Sequence, residues 1–499
     1  MSLRTKITLS FILICGSILR LAAINDPVTY DESYTFIAFA SKGVWASITD
    51  YSLPNNHIFH SILVFFSTAL MGDALCALRL PAFLAGLGMI CAAYAFGKST
   101  YSEETGLAGA ALVAYMPALI QYSTDARGYS LVGFFTLIVF WLSIRLTSQP
   151  SWQDWTLLSL ATALGLWTIP LMLYPAGAVY LWLAVMLVWG SAPGIQWRML
   201  LNWFISGLGA GVLTLTLYMP ALLVSGWRKI IANNFVQPLK LANYFNEMLP
   251  ERLISTWERW SGDVPWLLVA ILVIGFALSL GIRRDRVPLS LTMLLWVSAY
   301  IILRRPDAFD RFWSWMLAPM LVWAAAGLIE TARQLQGRMI FSSGGTTSNN
   351  GTIPGGLPTS LAGLFPKILV FGSMAWLLAQ AAITMPDIPE RWAKQSNSQV
   401  LAQQFSKGLQ PGDKILASFP ADAPLWYYLR LYGVPEDVWR PSSNNLSRAL
   451  VVVAANPPGQ TIENVLQKNG FDPKAFNLEN ASELGRVGKI SVFECLPKR

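Results

Sequence analysis

Four polar stretches between apolar runs carry residues whose types could do chemistry. The first, Tyr30-Asp31-Glu32-Ser33-Tyr34, follows an apolar run from Ile7 to Ile24. A carboxylate can accept the proton of an attacking hydroxyl, so this pair offers a general base. Neighbouring helical residues point apart, so only one acid can aim at a given atom, and Asp31 is the favoured one. The plain alternative is a solvated helix start, since Asp suits an N-cap and Glu a first turn. The second stretch, Pro54-Asn55-Asn56-His57-Ile58-Phe59-His60, holds both histidines of the chain. On a helix, residues three apart share a face. That spacing suits a divalent metal held by His57 and His60 with a carboxylate, or a polar contact from His57 to a substrate. Interface residues capped by the Asn pair would look the same.

The third stretch is Tyr122-Ser123-Thr124-Asp125-Ala126-Arg127-Gly128-Tyr129, an acid and a base in a short turn between apolar runs. Ionisable groups at membrane depth are costly and mark functional sites by default; a local Asp125–Arg127 pair trimming two helix ends is the alternative. The fourth is Arg304-Arg305-Pro306-Asp307-Ala308-Phe309-Asp310-Arg311. The guanidinium fork matches phosphate, so Arg304, Arg305 and Arg311 suit a phosphate-bearing ligand unless Asp307 and Asp310 merely balance them. Arg20 and Arg79, in or beside apolar runs, are expected to snorkel. The basic residues of 225–263 (Arg228, Lys229, Lys240, Arg252, Arg259) read as a solvated loop.

These stretches must be positioned by membrane helices. Of 499 residues, 54% are hydrophobic and 13% charged, about half the charge of a soluble domain. A crossing helix needs roughly 20 apolar residues, and apolar segments beginning with Ile7–Ile24 and ending at 367–385 give about eleven spans. The first follows Arg4 and Lys6 without a small-residue cleavage site, and reads as a retained span. His57 to Met71 is short for a crossing. If it lies at the outer interface, Lys98, Arg145, Arg198, the Arg283/Arg284/Arg286 cluster, Arg333, Arg338 and Lys367 all fall inside, as the positive-inside rule asks. The loop 25–74, the Tyr122–Arg127 turn, the loop 225–263 and the Arg304–Arg311 turn then fall outside. Against that rule, the fourth stretch puts three arginines outside, which a phosphate ligand would explain.

The stretch 331–366 reads as a flexible cytoplasmic linker by composition, 367–385 as the last span, and 386–499 as a soluble extracytoplasmic domain. The tail alternates KILAS, DAPLWYYLRLYG, ALVVVAA, TIENVLQKNG and KISVFEC, a β-α-β-α-β pattern without a nucleotide fingerprint. The net charge of +8 is scattered between apolar runs, which speaks against nucleic acid. Four cysteines without CxxC spacing indicate neither a disulfide framework nor a zinc site. The fold class expected is a mostly α polytopic bundle with a small C-terminal α/β domain.

Taken in order, these segments resemble the GT-C superfamily of polyprenyl-phosphate-sugar-dependent glycosyltransferases, and within it the protein mannosyltransferase and aminoarabinose transferase branch (glycosyltransferase family 39-like). The resemblance covers about residues 5–330 as one catalytic domain. It is most specific over 77–131, where Arg79-Leu80-Pro81 opens a span and a second span leads to the Tyr122–Tyr129 turn. NNHIFH sits where the family often has a His-Pro-Pro segment; here the prolines are missing. The resemblance implies a sugar delivered on a polyprenyl phosphate to an acceptor hydroxyl of a lipid, glycan or protein, at the extracytoplasmic face of a bacterial-type inner membrane. By it Asp31 is the base, and Asp125 a second outer acid that orients substrate or ligates a metal where one is used. Arg127, Arg304, Arg305 and Arg311 meet the leaving phosphate, and Glu32, Tyr34 and His57 contact substrate. It also implies inversion at the anomeric carbon. Two other classes compete. A transporter or flippase of a lipid-linked or anionic solute should show two similar halves with polar groups at mid-membrane, which the sequence does not. A non-catalytic scaffold would use the tail to bind partners.

Overall fold

The computed structural model describes every residue except 191–192, 232–237, 283–286, 343–358, 385–395, 441–445, 456–458 and 499. The Arg283/Arg284/Arg286 cluster and the middle of the expected linker therefore lie outside the described residues. The linker's first residues continue the helix Ser314–Ser342, and its last begin the helix Thr359–Thr384.

The chain divides into two compact units. One comprises Met1–Ile24, Ile48–His60 and Arg79–Pro386; the other comprises Asn25–Ser47, Ser61–Leu78 and Asp387–Arg499. The first is a helix bundle. Among the described residues six helices are long and apolar enough to cross a membrane: Leu3–Ala23, Leu75–Thr100, Tyr129–Ser148, Pro170–Trp189, Trp197–Ser225 and Asp310–Thr331. Two further pairs qualify only when taken together, each bent at a short break: Glu103–Tyr115 with Pro117–Ser123 by 67°, and Tyr244–Ser261 with Trp266–Ser279 by 113°. Leu289–Arg304 and Phe371–Thr384 are apolar but shorter. This strict count is lower than the eleven spans expected from apolar runs alone, because several runs are broken or short as helices.

Small residues bring these helices together, as they do where lipid supplies no hydrophobic drive between helices. At Gly327 any Cβ would overlap the carbonyl oxygen of Gly275, so the helices Trp266–Ser279 and Ser314–Ser342 meet backbone to backbone. Neither Arg20 nor Arg79 snorkels: both are fully buried. Arg79 Nη1 donates to the Ile24 carbonyl at the end of the first helix (2.9 Å). Arg20 Nη1 donates to the carbonyls of Gly16 and Ala114 (both 2.9 Å), and Nη2 reaches that of Val113 (3.5 Å). The reason is local. Pro117 has no N–H for the Val113 carbonyl, and it drives Met116 into extended backbone (ψ 116°). The helix breaks there, and Arg20 supplies donors where the ladder has none.

The second unit is α/β. Strand β1 (Asp413–Leu416) pairs in parallel with β2 (Arg448–Ala454), and β4 (Ile490–Cys495) runs antiparallel between β2 and β3 (Ser482–Val487), giving the order β1-β2-β4-β3. The helices Asp422–Leu431 and Ile462–Lys468 lie where the sequence pattern puts them. The pattern missed β3, whose side chains are nearly all exposed and show no apolar alternation; an exposed, charged edge of this kind resists pairing with other chains. Leu416, Val451, Val465, Leu466, Phe471 and Cys495 form the core. Arg448 ties three strands, bonding Asp413 (2.6 Å) and Glu494 (3.2 Å).

Candidate active site

In the helix bundle the site is organised by the break at Pro117. The short helix Pro117–Ser123 turns off and delivers the Ser123–Gly128 turn. Gly86 lets the helix Leu75–Thr100 press against this turn, since a Cβ there would overlap Ser123 Oγ. Ser130 Oγ closes it by donating to the Tyr122 carbonyl (2.6 Å), and the Arg127 N–H donates to the Asp125 carbonyl (2.6 Å). Asp125 and Arg127 are both buried.

His57 and Arg127 meet. The Gly128 N–H donates to His57 Nδ1 (2.9 Å), while Arg127 Nη2 lies 3.1 Å from Nε2 and Nη1 donates to the Asn55 carbonyl (2.7 Å). Tyr129 packs edge-on against the His57 ring, with centroids 5.1 Å apart. A neutral imidazole has one N–H and one acceptor nitrogen, and the Gly128 N–H makes Nδ1 the acceptor; a second proton, placed there, would set donor against donor and add charge beside the Arg127 cation. Burial first, then the charge of Arg127, and then His60 and Arg311, push the His57 pKa well below its usual value. His57 is a neutral brace for Arg127. The helix Ile58–Met71 starts after it, so His57 and His60 do not form the expected helical pair. With both His57 nitrogens engaged, the donor set does not fit a metal. Among the described residues no three His, Cys, Asp or Glu side chains gather closely enough to hold one.

The fourth stretch folds as the end of the helix Leu289–Arg304, a loop, and the tight turn Asp310–Trp313. Its two acids do not balance its own arginines alone. Asp307 bonds Arg252 (2.9 Å) and Asp310 bonds Arg259 (2.9 Å), both from the helix Leu249–Ser261. The basic residues of 225–263 are thus not uniformly solvated, and these two are the site residues that sequence reasoning missed. The signal was available. Arg252, Thr256 and Arg259 recur at helical spacing on one face, with Leu253, Ile254 and Trp257 exposed on the other. Arg305 has a left-handed backbone (φ 44°), and its Nε donates to the Leu239 carbonyl (2.7 Å). Arg304 is exposed. Arg311, with Phe309 beneath its guanidinium (5.6 Å), is near enough to act electrostatically on His57 and Tyr122. Three of the four stretches therefore converge: His57 of the second, the Tyr122–Tyr129 turn, and the turn carrying Arg311.

Asp31 and Glu32 belong to the other unit, on the helix Tyr30–Ala38. Thr29 is its N-cap, accepting from the Glu32 N–H (3.3 Å), while Glu32 Oε2 accepts from the Thr29 N–H (3.0 Å). This reciprocal capping box gives the fully buried Glu32 a local task. Asp31, one residue earlier, points elsewhere and is half-buried; a first-turn carboxylate is favoured as the anion by the helix dipole. Tyr34 stacks on Tyr30 (centroids 6.0 Å).

Six helices among the described residues, long and apolar enough to cross a membrane, together with a small α/β unit, make this a polytopic membrane protein, and its fold is that of solved GT-C glycosyltransferases. A family model described as dolichyl-phosphate-mannose-protein mannosyltransferase matches residues 57–227, and no curated protein matches the sequence. The chain is similar to apo ArnT from Cupriavidus metallidurans at a TM-score of 0.63 and 12% identity, covering 97% of each chain. It is similar to the same protein bound to undecaprenyl phosphate at a TM-score of 0.62 and 14% identity, covering 98% of this chain and 97% of that one. The apo Archaeoglobus fulgidus oligosaccharyltransferase aligns at a TM-score of 0.50 and 11% identity, over 90% of this chain and 69% of that one.

Proposed function

We propose that this protein is a membrane glycosyltransferase that takes a sugar from a polyprenyl-phosphate donor and transfers it to an acceptor hydroxyl at the extracytoplasmic face of an inner membrane. The observation that carries this reading is the end-to-end likeness to ArnT, whose structure is described with undecaprenyl phosphate bound. Asp31 takes the acceptor proton as general base. As the sugar–phosphate bond breaks, negative charge grows on the departing phosphate and is met by fixed guanidinium groups. Arg311 and the exposed Arg304 suit that task best, because Arg305 spends donors on the Leu239 and Ile302 carbonyls. Arg127, held by Asn55 and His57, contributes a fixed positive charge beside Asp125, which orients the substrate. Attack opposite the phosphate inverts the anomeric carbon.

The test uses purified full-length protein in detergent. Tritiated undecaprenyl-phosphate mannose, glucose and 4-amino-4-deoxyarabinose are each offered with an envelope extract as acceptor source. Label should pass from one donor to a lipid, glycan or protein. Asp31→Asn should lower that rate by about 10²–10⁴-fold while leaving undecaprenyl phosphate binding intact. Wild-type turnover by Asp31→Asn would remove Asp31 from the chemistry, and no transfer from any donor would remove these sugars.

A further inference from the structure

The second unit assembles two parts of the chain that lie far apart in sequence: segments of the first outer loop and the tail beyond Asp387. The helix Asp422–Leu431 makes the join. Its adjacent tyrosines, both fully buried, point to opposite ends of the outer loop. Tyr428 Oη accepts from the Val28 N–H (2.9 Å), two residues before the Asp31 helix begins. Tyr427 Oη donates to the Asp73 carbonyl (2.9 Å), and the Tyr427 ring meets Phe36 of the Asp31 helix edge-on (5.7 Å). Arg430 bonds the Asp73 carboxylate (2.7 Å) and lies over the Phe36 ring (5.7 Å). At the other end Asp422 shares a side-chain hydrogen bond with the Tyr30 hydroxyl, and the Tyr30 ring meets Phe419 edge-on (4.9 Å). The nine-residue Asp31 helix is too short to be stable alone. Its start, its buried side and the far end of its loop are each held by one tail helix.

We propose that the tail helix Asp422–Leu431 is a positioning element for the Asp31 carboxylate, with Tyr427, Tyr428 and Arg430 as positioning residues. The proposal rests on Asp31 being the general base. A displacement of about 1 Å at a reacting group can cost roughly a hundredfold in rate, so a loosened helix should show in turnover before it shows in donor binding.

The variants are Tyr427→Phe and Tyr428→Phe, each removing one oxygen atom, with Arg430→Gln read in the same way should either fail to accumulate. Each is made in the full-length protein and assayed with the undecaprenyl-phosphate sugar that the wild type uses. Each should lower kcat about tenfold, leave the donor KM within about twofold, and speed amide exchange across residues 28–38. In an Asp31→Asn background the same changes should cost nothing further, since there is no base left to place. A merely structural role would lower the residual rate in that background too. Wild-type kcat, a loss of equal size without Asp31, or a rise confined to KM would each overturn the proposal while leaving Asp31 as the base. Full activity in Asp31→Asn overturns the base reading instead, and the positioning proposal with it.

Discussion

Replacing Arg20 by Leu should destabilise the bundle through the break at Pro117. The guanidinium serves the Ala114 carbonyl at 2.9 Å and, more distantly, that of Val113 at 3.5 Å. Its bond to Gly16 matters less, because that carbonyl lies within an unbroken helix. A buried carbonyl left without a partner costs about 1–3 kcal/mol, and the loss of filled volume adds to this. Relief of the buried charge works in the opposite direction. The net expectation is a loss of about 2–3 kcal/mol, measured by reversible denaturant unfolding in detergent. The diagnostic step is a cycle with Pro117→Ala. That change restores an N–H able to reach the Val113 carbonyl, so in the Arg20→Leu background it should recover about 1 kcal/mol. In the wild-type background it should instead straighten the break, shift the Tyr122–Gly128 turn and lower transfer activity. If the Arg20→Leu loss is the same size with and without Pro117, Arg20 does not act through the break and the account is wrong.

Three further outcomes are expected. His57 is held neutral with its pKa below the ordinary 6.5. Its contribution to stability is therefore present above pH 6.5 and lost as the pH falls below it, by at most about 1.4 kcal/mol per pH unit; unfolding followed from pH 8 to 5.5 should show this slope, and His57→Gln should flatten it. Arg304→Gln and Arg311→Gln should each weaken undecaprenyl phosphate binding about tenfold without changing Tm, whereas Arg305→Gln should lower Tm; unchanged affinity in all three discredits a phosphate role. Arg448→Met should destabilise the tail domain by about 3 kcal/mol, read by amide exchange in β1 and β2. Arg448 and the Gln410 N–H hold the Asp413 carboxyl below its usual range against a burial effect in the other direction, and the variant leaves that buried acid without its cation.

The membrane bundle and the tail's strands were legible because both rest on apolar periodicity, which a sequence displays directly. The edge strand β3 was not, because a strand exposed on both faces carries no such pattern. Among site residues, the Tyr122–Tyr129 turn and the Arg304–Arg311 turn stood out as charges at the ends of apolar runs. Arg252 and Arg259 were hidden in a loop whose charge count said more than its helical spacing. Arg20 and Arg79 were misread for the opposite reason. Snorkelling is the common fate of an arginine near a membrane, and only the carbonyls freed at Pro117 and at Ile24 show why these two stay inside. Glu32 and Asp31 look interchangeable in sequence; the Thr29 capping box separates them.

The bond between Val28 and Tyr428 joins residues 400 positions apart. During synthesis the loop after the first helix emerges when the partner that will seat it has not yet been made. The segment that carries Tyr428 must be produced and folded before the Asp31 helix finds its support. Contacts of such long sequence separation form late and slowly. A chain stopped short of residue 422 would thus lack the seat of this helix, and the support of residues 28–38 would be timed by the arrival of a segment some 400 positions later.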